Sequence, residues 1–297
     1  MKRKLTMIGI VLVGILLLVS LIRFATDRVN LAKEEKVLAE FEALTEYEDI
    51  TVAELSQFLD EKVDRLSQEK AALLVTGLER VQRAKLPQWE KKFENEGLQQ
   101  ELARVYQETG WRLSDFSSIT DAQLREIVEE AIDNGYKVET AEGFFFPVID
   151  YTFYDKYHTA VTPDLAVYYE IMAVESEQAP VKDAALMIPW EEILNRALRQ
   201  EEFLMECNSS PQVPAIEKLL KQYVSFALFG CNNTPLFSYD TKKMNSEAKA
   251  AYLKYDWDEA KGSFSRLIKE YLKVLKKNDY RLTPDVEEFR KDAVAKF

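Results

Sequence analysis

A long stretch without charge lies close to the amino terminus of the chain. Residues 1–4 include three cations, and the eighteen residues after them, 5–22, contain none and no acid either. In a helix, eighteen residues rise about 27 Å. This length is close to the hydrocarbon thickness of a bilayer, about 30 Å, and Phe24 and Ala25 extend the stretch. The pattern predicts a single transmembrane helix over residues 5–25, with the lipid bilayer as its partner.

The charges on either side of this helix predict its orientation. Three cations and the amino terminus precede it, whereas Arg23 and Arg28 after it are accompanied by several acidic residues. Since the more cationic end stays in the cytoplasm, residues 1–4 are predicted to be a cytoplasmic tail and the remaining chain to be extracytoplasmic. A cleaved signal peptide is the alternative, although residues 21–26 lack a small-x-small cleavage pattern.

Two amphipathic helices are predicted next. Thr51-Val-Ala-Glu54 has the spacing of a capping box, in which each side chain accepts a hydrogen bond from the other residue's backbone N–H. Apolar residues then recur at three- and four-residue steps up to Ala84, and a second apolar set runs from Pro87 towards residue 110. Because proline interrupts helices, we expect a break at Pro87, with residues 29–110 forming a helical hairpin or stalk.

The remainder, residues 111–297, is predicted to be a helical globular domain. A third helix follows Thr120-x-x-Gln123 and stops at Asn134-Gly135. Alternation after Tyr136 and an apolar run up to Tyr151 predict a short β-hairpin. Further helices are expected after Thr162-Pro163 and over residues 190–206, 214–229, 245–255, 258–277 and 284–295. The fold class is therefore mainly α, with at most one short β-hairpin.

Composition and charge restrict the function. The chain has 297 residues and a formal net charge of −12, and no dense cationic stripe occurs beyond the first residues, which argues against a nucleic-acid partner. One histidine and two cysteines are too few for a His-pair or all-cysteine zinc site, so no metal is expected. Phosphate-binding and dinucleotide glycine motifs are absent from the sequence as well, and no cofactor is expected.

The two cysteines, Cys207 and Cys231, would lie outside the cytoplasm, where a disulfide is chemically permitted. A helix over residues 214–229 holds its ends about 24 Å apart. The seven residues from Cys207 to Pro214 reach only about 22–24 Å. A disulfide therefore requires this linker to run back along the helix, and two separately buried thiols are the alternative.

One segment suggests catalytic chemistry. Ile171-Met-Ala-Val-Glu-Ser176 is followed by Ala184-Ala-Leu-Met187. These residues resemble the catalytic helix of lysozyme-like lytic transglycosylases, where a glutamate followed by serine ends an apolar helix and a Gly-Leu-Met-Gln segment follows. The resemblance implies that Glu175 is a general acid, a role that suits a carboxyl whose pKa is raised by burial. A surface glutamate on an amphipathic helix is the alternative.

Seven aromatic residues occur between Phe144 and Tyr157, and His158 follows directly. Exposed rings would form a platform for sugar rings or a docking surface. Buried rings would instead belong to the core, with the tyrosines at its rim. His158 has no serine, cysteine or second histidine at a recognisable spacing, so a packed histidine is its alternative. The candidate binding residues are Phe146, Tyr151, Tyr154, Tyr157 and His158.

Two functional hypotheses follow. The first is a membrane-anchored protein of the bacterial cell envelope, whose acidic extracytoplasmic domain binds an envelope protein or the cell wall without catalysis. The second is a peptidoglycan-cleaving enzyme with Glu175 as its general acid, in a cleft lined by tyrosines at positions Tyr151, Tyr154, Tyr168 and Tyr169.

Overall fold

A computed structural model of the chain describes residues 28–109, 116–257 and 261–297. The predicted cytoplasmic tail and membrane segment, residues 1–25, lie outside these ranges. Among the helices that are described, none combines the length and the apolar composition that crossing a bilayer requires. The described chain is mainly helical, as predicted, but it has three short strand pairs where at most one hairpin was predicted.

The first half of the described chain contains six helices and one hairpin. Helix α1 includes residues 28–45. It is followed by α2 (Val52–Lys62), a 3₁₀ turn (Val63–Arg65), α3 (Gln68–Phe93), α4 (Glu96–Thr109), a 3₁₀ turn (Phe116–Ser118), α5 (Ala122–Asp133), β1 (Tyr136–Ala141), β2 (Phe144–Ile149), a 3₁₀ helix (Tyr151–Tyr157) and α6 (Pro163–Glu177).

The second half contains five helices and two minimal strand pairs. Its elements are β3 (Val181–Lys182), β4 (Ala185–Leu186), α7 (Trp190–Glu206), α8 (Val213–Phe229), β5 (Gly230–Cys231), β6 (Thr234–Pro235), α9 (Ser246–Lys254), α10 (Ser263–Lys277) and α11 (Pro284–Lys296). The predicted helix ranges are confirmed to within two residues, except for α10, which begins at Ser263.

Two helix starts can be compared with the capping residues that the sequence predicts. The capping box is present at α2, where the Thr51 hydroxyl accepts from the Glu54 N–H at 3.1 Å and the Glu54 carboxylate accepts from the Thr51 N–H at 2.8 Å. At α5 the predicted cap is wrong by one residue. The Asp121 carboxylate accepts from the N–H groups of Gln123 and Leu124, at 2.8 and 3.2 Å, and a carboxylate is a strong acceptor at a helix start.

The predicted break at Pro87 is wrong, because α3 runs through this residue. A proline removes one intrahelical hydrogen bond. Leu78 before it and Phe93 after it are both fully buried in the same core, and this burial keeps the helix continuous. The break lies instead at Ser67, whose backbone N–H donates to the Glu34 carboxylate of α1 at 2.6 Å.

The buried apolar residues form two clusters. The first contains residues of α1 to α6 and of the β1–β2 hairpin, together with Phe203 and Ile216. It includes residues on both sides of position 110, the predicted boundary between stalk and globular domain. The second contains residues of α7 to α11, from Ile188 to Val286. Helices α7 and α8 contribute to both clusters and join them.

Candidate functional site

A cleft of about 500 Å³ lies between the β1–β2 hairpin, the carboxyl-terminal part of α6 and residues 179–183. Apolar atoms make up most of its exposed lining, and the aliphatic residues among the contributors are Leu86, Ala141, Val148, Ile149, Met172, Ala179 and Val181. Concave surfaces with apolar walls and a few polar groups are the usual form of ligand sites. This cleft is therefore the candidate binding site.

The hairpin supplies the cleft with one of its two faces. Glu139 pairs with Phe146 in the antiparallel register, and Lys137 pairs with Val148. Opposite residues of such a pair share a face. On the other face, Tyr136, Val138 and Phe145 are buried in the first core cluster, and only Ile149 at the end of this face also reaches the cleft. Burial of that face turns Phe146 and Val148 towards the cleft.

Charged groups at the rim are paired. Lys182 of β3 and Lys137 both contact the Glu139 carboxylate, the latter at 3.3 Å. Asp183 accepts a hydrogen bond from the Glu142 N–H at 3.2 Å. Arg83 of α3 also lines the cleft, and its side chain is half exposed. The rim thus combines neutralised ion pairs with one accessible guanidinium.

A buried carboxylate lies directly behind Arg83. Glu79, one turn earlier on α3, accepts hydrogen bonds from the Tyr151 and Tyr168 hydroxyls, both at 2.9 Å, and from the Tyr169 hydroxyl at 3.2 Å. Arg83 Nε donates to the same carboxylate at 2.9 Å. These five residues, the Glu79 network, couple the cleft residues Arg83 and Tyr151 to the core.

The phenols of the Glu79 network stay protonated. Burial, and then the negative charge of Glu79, raise the pKa of Tyr168 to about 12 and also raise the pKa values of Tyr151 and Tyr169 well above their ordinary value. Each hydroxyl therefore donates a hydrogen bond throughout the physiological pH range. The network is a positioning device for the cleft wall, because every hydroxyl in it is already committed to Glu79.

Glu175 lies in the cleft wall near the end of α6, and its side chain is only 11 % exposed. The Tyr223 hydroxyl lies 2.7 Å from each of its carboxylate oxygens, and Arg196 Nη1 lies 3.6 Å from Oε2. Burial raises the pKa of Glu175, while Tyr223 and Arg196 oppose the rise. A protonated carboxyl at a cleft suits acid catalysis, but here both oxygens face a neighbour from α8.

The raised pKa of Glu175 predicts a pH effect on stability. An acid whose pKa is higher in the folded than in the unfolded state binds more protons when folded, so stability falls as pH rises between the two pKa values. This window begins near the ordinary value of 4.5. We expect the free energy of unfolding of the native protein, minus that of Glu175→Gln, to decrease from pH 4.5 upwards. Urea denaturation at several pH values measures this difference, and a constant or rising difference would contradict the prediction.

The structure brings only part of the predicted binding set together. Phe146 and Tyr151 line the cleft with Glu175. Tyr154 is fully buried, with its ring stacked on Tyr169 at 4.5 Å. Tyr157 is also buried and donates to Asp60 at 2.8 Å. In a 3₁₀ helix, residues three apart share one face, and this spacing directs all three tyrosines of the segment towards the core.

His158, the last predicted binding residue, lies at the surface outside the cleft. Its Nε2 is 2.7 Å from Glu170 Oε1, and Arg199 donates to the other oxygen of Glu170 at 2.8 Å. The histidine is therefore one end of a short chain of polar contacts at the surface, through Glu170 to Arg199. It lies among the charged groups of α6 and α7 rather than among the aromatic rings.

The two cysteines are free in the structure. Both thiols are partly buried, and burial raises the pKa of each. Cys207 ends α7, whereas Cys231 lies in β5. In the described parts of the chain, no group of three or more His, Cys, Asp and Glu side chains has the arrangement of a metal site.

Sequence patterns did not predict the Glu79 network. Glu79, Gln82 and Arg83 are spaced by three and four residues and continue the face of α3 that buries Leu74, Val75 and Leu78. Gln82 is fully buried and donates to the carbonyls of Asn134 and Gly135, both at 2.9 Å. Polar residues at positions where an apolar stripe should continue are the signal that could have identified the network.

No protein family model, no curated protein and no solved structure matches this chain. The resemblance to lytic transglycosylases therefore rests on residues 171–187 alone.

Proposed function

We propose that this chain is a membrane-anchored protein of the bacterial cell envelope that binds apolar side chains of a partner protein in its cleft, without catalysis. Residues 5–25 would hold it in the bilayer, with residues 1–4 in the cytoplasm. The described helical part of the chain would then lie outside the cytoplasm and present the cleft there.

The aliphatic wall of the cleft is the observation that carries this proposal. Sugar rings are held by exposed aromatic faces and many hydrogen-bonding groups. Here only Phe146 and Tyr151 are aromatic, and the charged groups Glu139, Glu175 and Lys182 are already paired. Apolar side chains fit such a wall, because burying them is favourable and leaves the ion pairs of Glu139, Lys182 and Glu175 undisturbed. The chemistry favours a protein partner over the glycan of the cell wall.

Cross-linking from the cleft tests the binding function. A photoreactive amino acid at Ala179 is expected to attach one partner protein when cells producing the full chain are irradiated. Phe146→Ser, which removes apolar surface from the cleft wall, is expected to reduce the cross-linked product at least fivefold. The yield of the product on a gel is the measurement.

Phe144→Ser is the matched control. Phe144 lies on the same face of β2, two residues away, and is exposed without lining the cleft. Its variant should cross-link as the native chain does. Equal loss in both variants, no product, or a product that is cell-wall glycan would contradict a protein partner in the cleft.

The predicted orientation has its own test. A reporter that works only in the cytoplasm, fused to the carboxyl terminus, should be inactive, and one that works only outside should be active. The opposite pair of results would overturn the extracytoplasmic location, whatever the cleft binds.

A peptidoglycan-cleaving enzyme is the second candidate, because Glu175 lies in the cleft wall and burial raises its pKa. This candidate requires the full-length protein to release soluble muropeptides from purified peptidoglycan. It also requires Glu175→Gln to abolish that release. No release, or equal release by the variant, excludes Glu175 as a general acid.

A further inference from the structure

The guanidinium of Arg83 is held from one side. Its Nε donates to the Glu79 carboxylate at 2.9 Å, and its Nη2 donates to the hydroxyl of Tyr151 and, at 3.3 Å, to that of Tyr168. Nη1 donates to no group in the part of the chain that the structure describes. A guanidinium carries five N–H donors in a fixed plane. Arg83 therefore keeps two donors, on Nη1, that a ligand can use without breaking the Glu79 network.

The direction of these donors is set before a ligand binds. Nε and Nη2 belong to the edge of the guanidinium that faces Glu79 and the tyrosines, and Nη1 belongs to the other edge. The Arg83 side chain lines the cleft and is 51 % exposed. Donors that are already fixed lose little freedom when a ligand binds. The cleft thus combines an apolar wall with one preorganised hydrogen-bond donor group.

The other charged side chains of the cleft lining direct a negative group towards Arg83. Glu139, Glu175 and Lys182 already have ion-pair partners. Asp183 is exposed and adds a carboxylate on the side of residues 179–183. A negative group of a ligand is therefore repelled on that side and finds its hydrogen-bond donors at Arg83.

The lining favours the end of a peptide chain over a segment that passes through. The hydroxyls of Thr140 and Ser176 already donate to the carbonyls of Phe144 and Ala173, both at 3.0 Å. A continuous segment would bring several peptide groups against apolar walls with few partners, and burying unpaired polar groups is unfavourable. A carboxyl terminus brings fewer peptide groups, and its carboxylate is a strong acceptor.

We infer that the cleft binds the carboxyl terminus of its partner protein, with the terminal carboxylate accepting from Arg83 Nη1 and the last apolar side chains on the aliphatic wall. This inference rests on the proposed function, because it requires a protein partner in the cleft. Hydrogen bonds between two charged groups are stronger than those between neutral groups. A free carboxyl terminus therefore binds more tightly than the same terminus blocked as an amide.

Fluorescence anisotropy with short peptides tests this specificity. The full-length chain in lipid nanodiscs is titrated into the peptide Ala-Ala-Leu-Leu, labelled with fluorescein at its amino end, as the free acid and as the carboxamide. The free acid is expected to bind saturably and at least fivefold more tightly than the carboxamide. Ala-Asp-Leu-Leu carboxamide, whose carboxylate is on a side chain, should bind no better than the first carboxamide. Empty nanodiscs measure adsorption to lipid.

Arg83→Gln is expected to reduce the ratio of free-acid to carboxamide affinity to about one, because the amide of glutamine cannot form a charged pair. Arg80→Gln is the matched control, since Arg80 is exposed on the same helix and does not line the cleft. This variant should keep the ratio of at least five. Thermal unfolding verifies that both variants are folded.

The comparison of the two peptides on the native chain decides the inference even if Arg83→Gln fails to fold. Equal affinities, or no saturable binding of the free acid, overturn it, and so does an unchanged ratio in a folded Arg83→Gln. Octanoate joins a carboxylate to an acyl chain. If it displaces the labelled peptide at lower concentration than the unlabelled free acid does, the cleft takes fatty acids and the inference is also overturned. Cross-linking of a protein through Ala179 would still support the proposed function when the two peptides bind equally.

Discussion

Glu79→Ala is expected to lower the free energy of unfolding by at least about 3 kcal/mol, because each of three buried donors left without an acceptor costs about 1–3 kcal/mol. The substitution leaves the hydroxyls of Tyr151, Tyr168 and Tyr169 without their acceptor and Arg83 without its carboxylate. For the three tyrosines, each lost acceptor leaves a buried donor that water cannot reach, whereas water can hydrate the half-exposed Arg83. Urea denaturation at neutral pH measures the loss.

Two further variants separate the loss of the buried acceptor from the general effect of replacing a glutamate on α3. Glu79→Gln retains one acceptor oxygen and the shape of the side chain, so its loss should be smaller than that of Glu79→Ala. Glu90→Ala lies on the same helix at an exposed position and should change stability by less than about 0.5 kcal/mol. If Glu79→Ala and Glu90→Ala were equally stable, the Glu79 network would not stabilise the core.

Gly230→Ala is expected to lower the free energy of unfolding by about 4 kcal/mol, through strain and overpacking at the end of α8 in the second core cluster. Gly230 ends α8 with φ 71° and ψ −147°, close to a region that only glycine adopts, and forcing another residue there costs about 1–3 kcal/mol. An added Cβ would also lie 2.3 Å from the Thr234 carbonyl oxygen and 2.8 Å from the Leu236 nitrogen. Both atoms belong to the backbone, so overpacking adds about 1–3 kcal/mol.

Gly143→Ala is the matched control for this effect. Gly143 lies in the turn between β1 and β2 with φ 79°, and a Cβ there would meet no atom within 4 Å. Gly143→Ala should lower the free energy of unfolding by backbone strain alone, about 1–2 kcal/mol. Thermal unfolding of the two variants compares them directly. Equal losses would show that the contacts of Gly230 with β6 contribute nothing.

The candidate site could be predicted from the sequence only in part. Phe146, Tyr151 and Glu175 were candidates from composition and motif, and the structure places all three at one cleft. Their proximity follows from the packing of α6 against the 3₁₀ helix Tyr151–Tyr157, which directly follows the hairpin, and no local pattern encodes this packing. The sequence pattern did not indicate Glu79 or Gln82. A polar residue on a helix is normally solvated, and it becomes informative only once its burial is known.

The sequence by itself determined the features that arise from interactions within a few residues. The helix starts at Thr51 and Thr283 follow from side-chain caps, and the start of α6 follows from Pro163 in its first turn. The hairpin turn at Glu142-Gly143 follows from backbone preference. Each of these features is complete within about one turn of chain. The predominance of helix follows in the same way, from apolar residues at three- and four-residue steps.

Only the tertiary structure decided features whose partners are remote in the chain. Glu79 bonds tyrosines 72 to 90 residues away, and α10 starts where the Glu201 carboxylate accepts from the N–H groups of Phe264 and Ser265, at 2.5 and 3.2 Å. Pro87 stays helical because its neighbours are buried in a shared core. The physical reason is the same in each case. The energy of a buried polar group or of a broken helical bond depends on what surrounds it, and these surroundings exist only after distant segments have packed together.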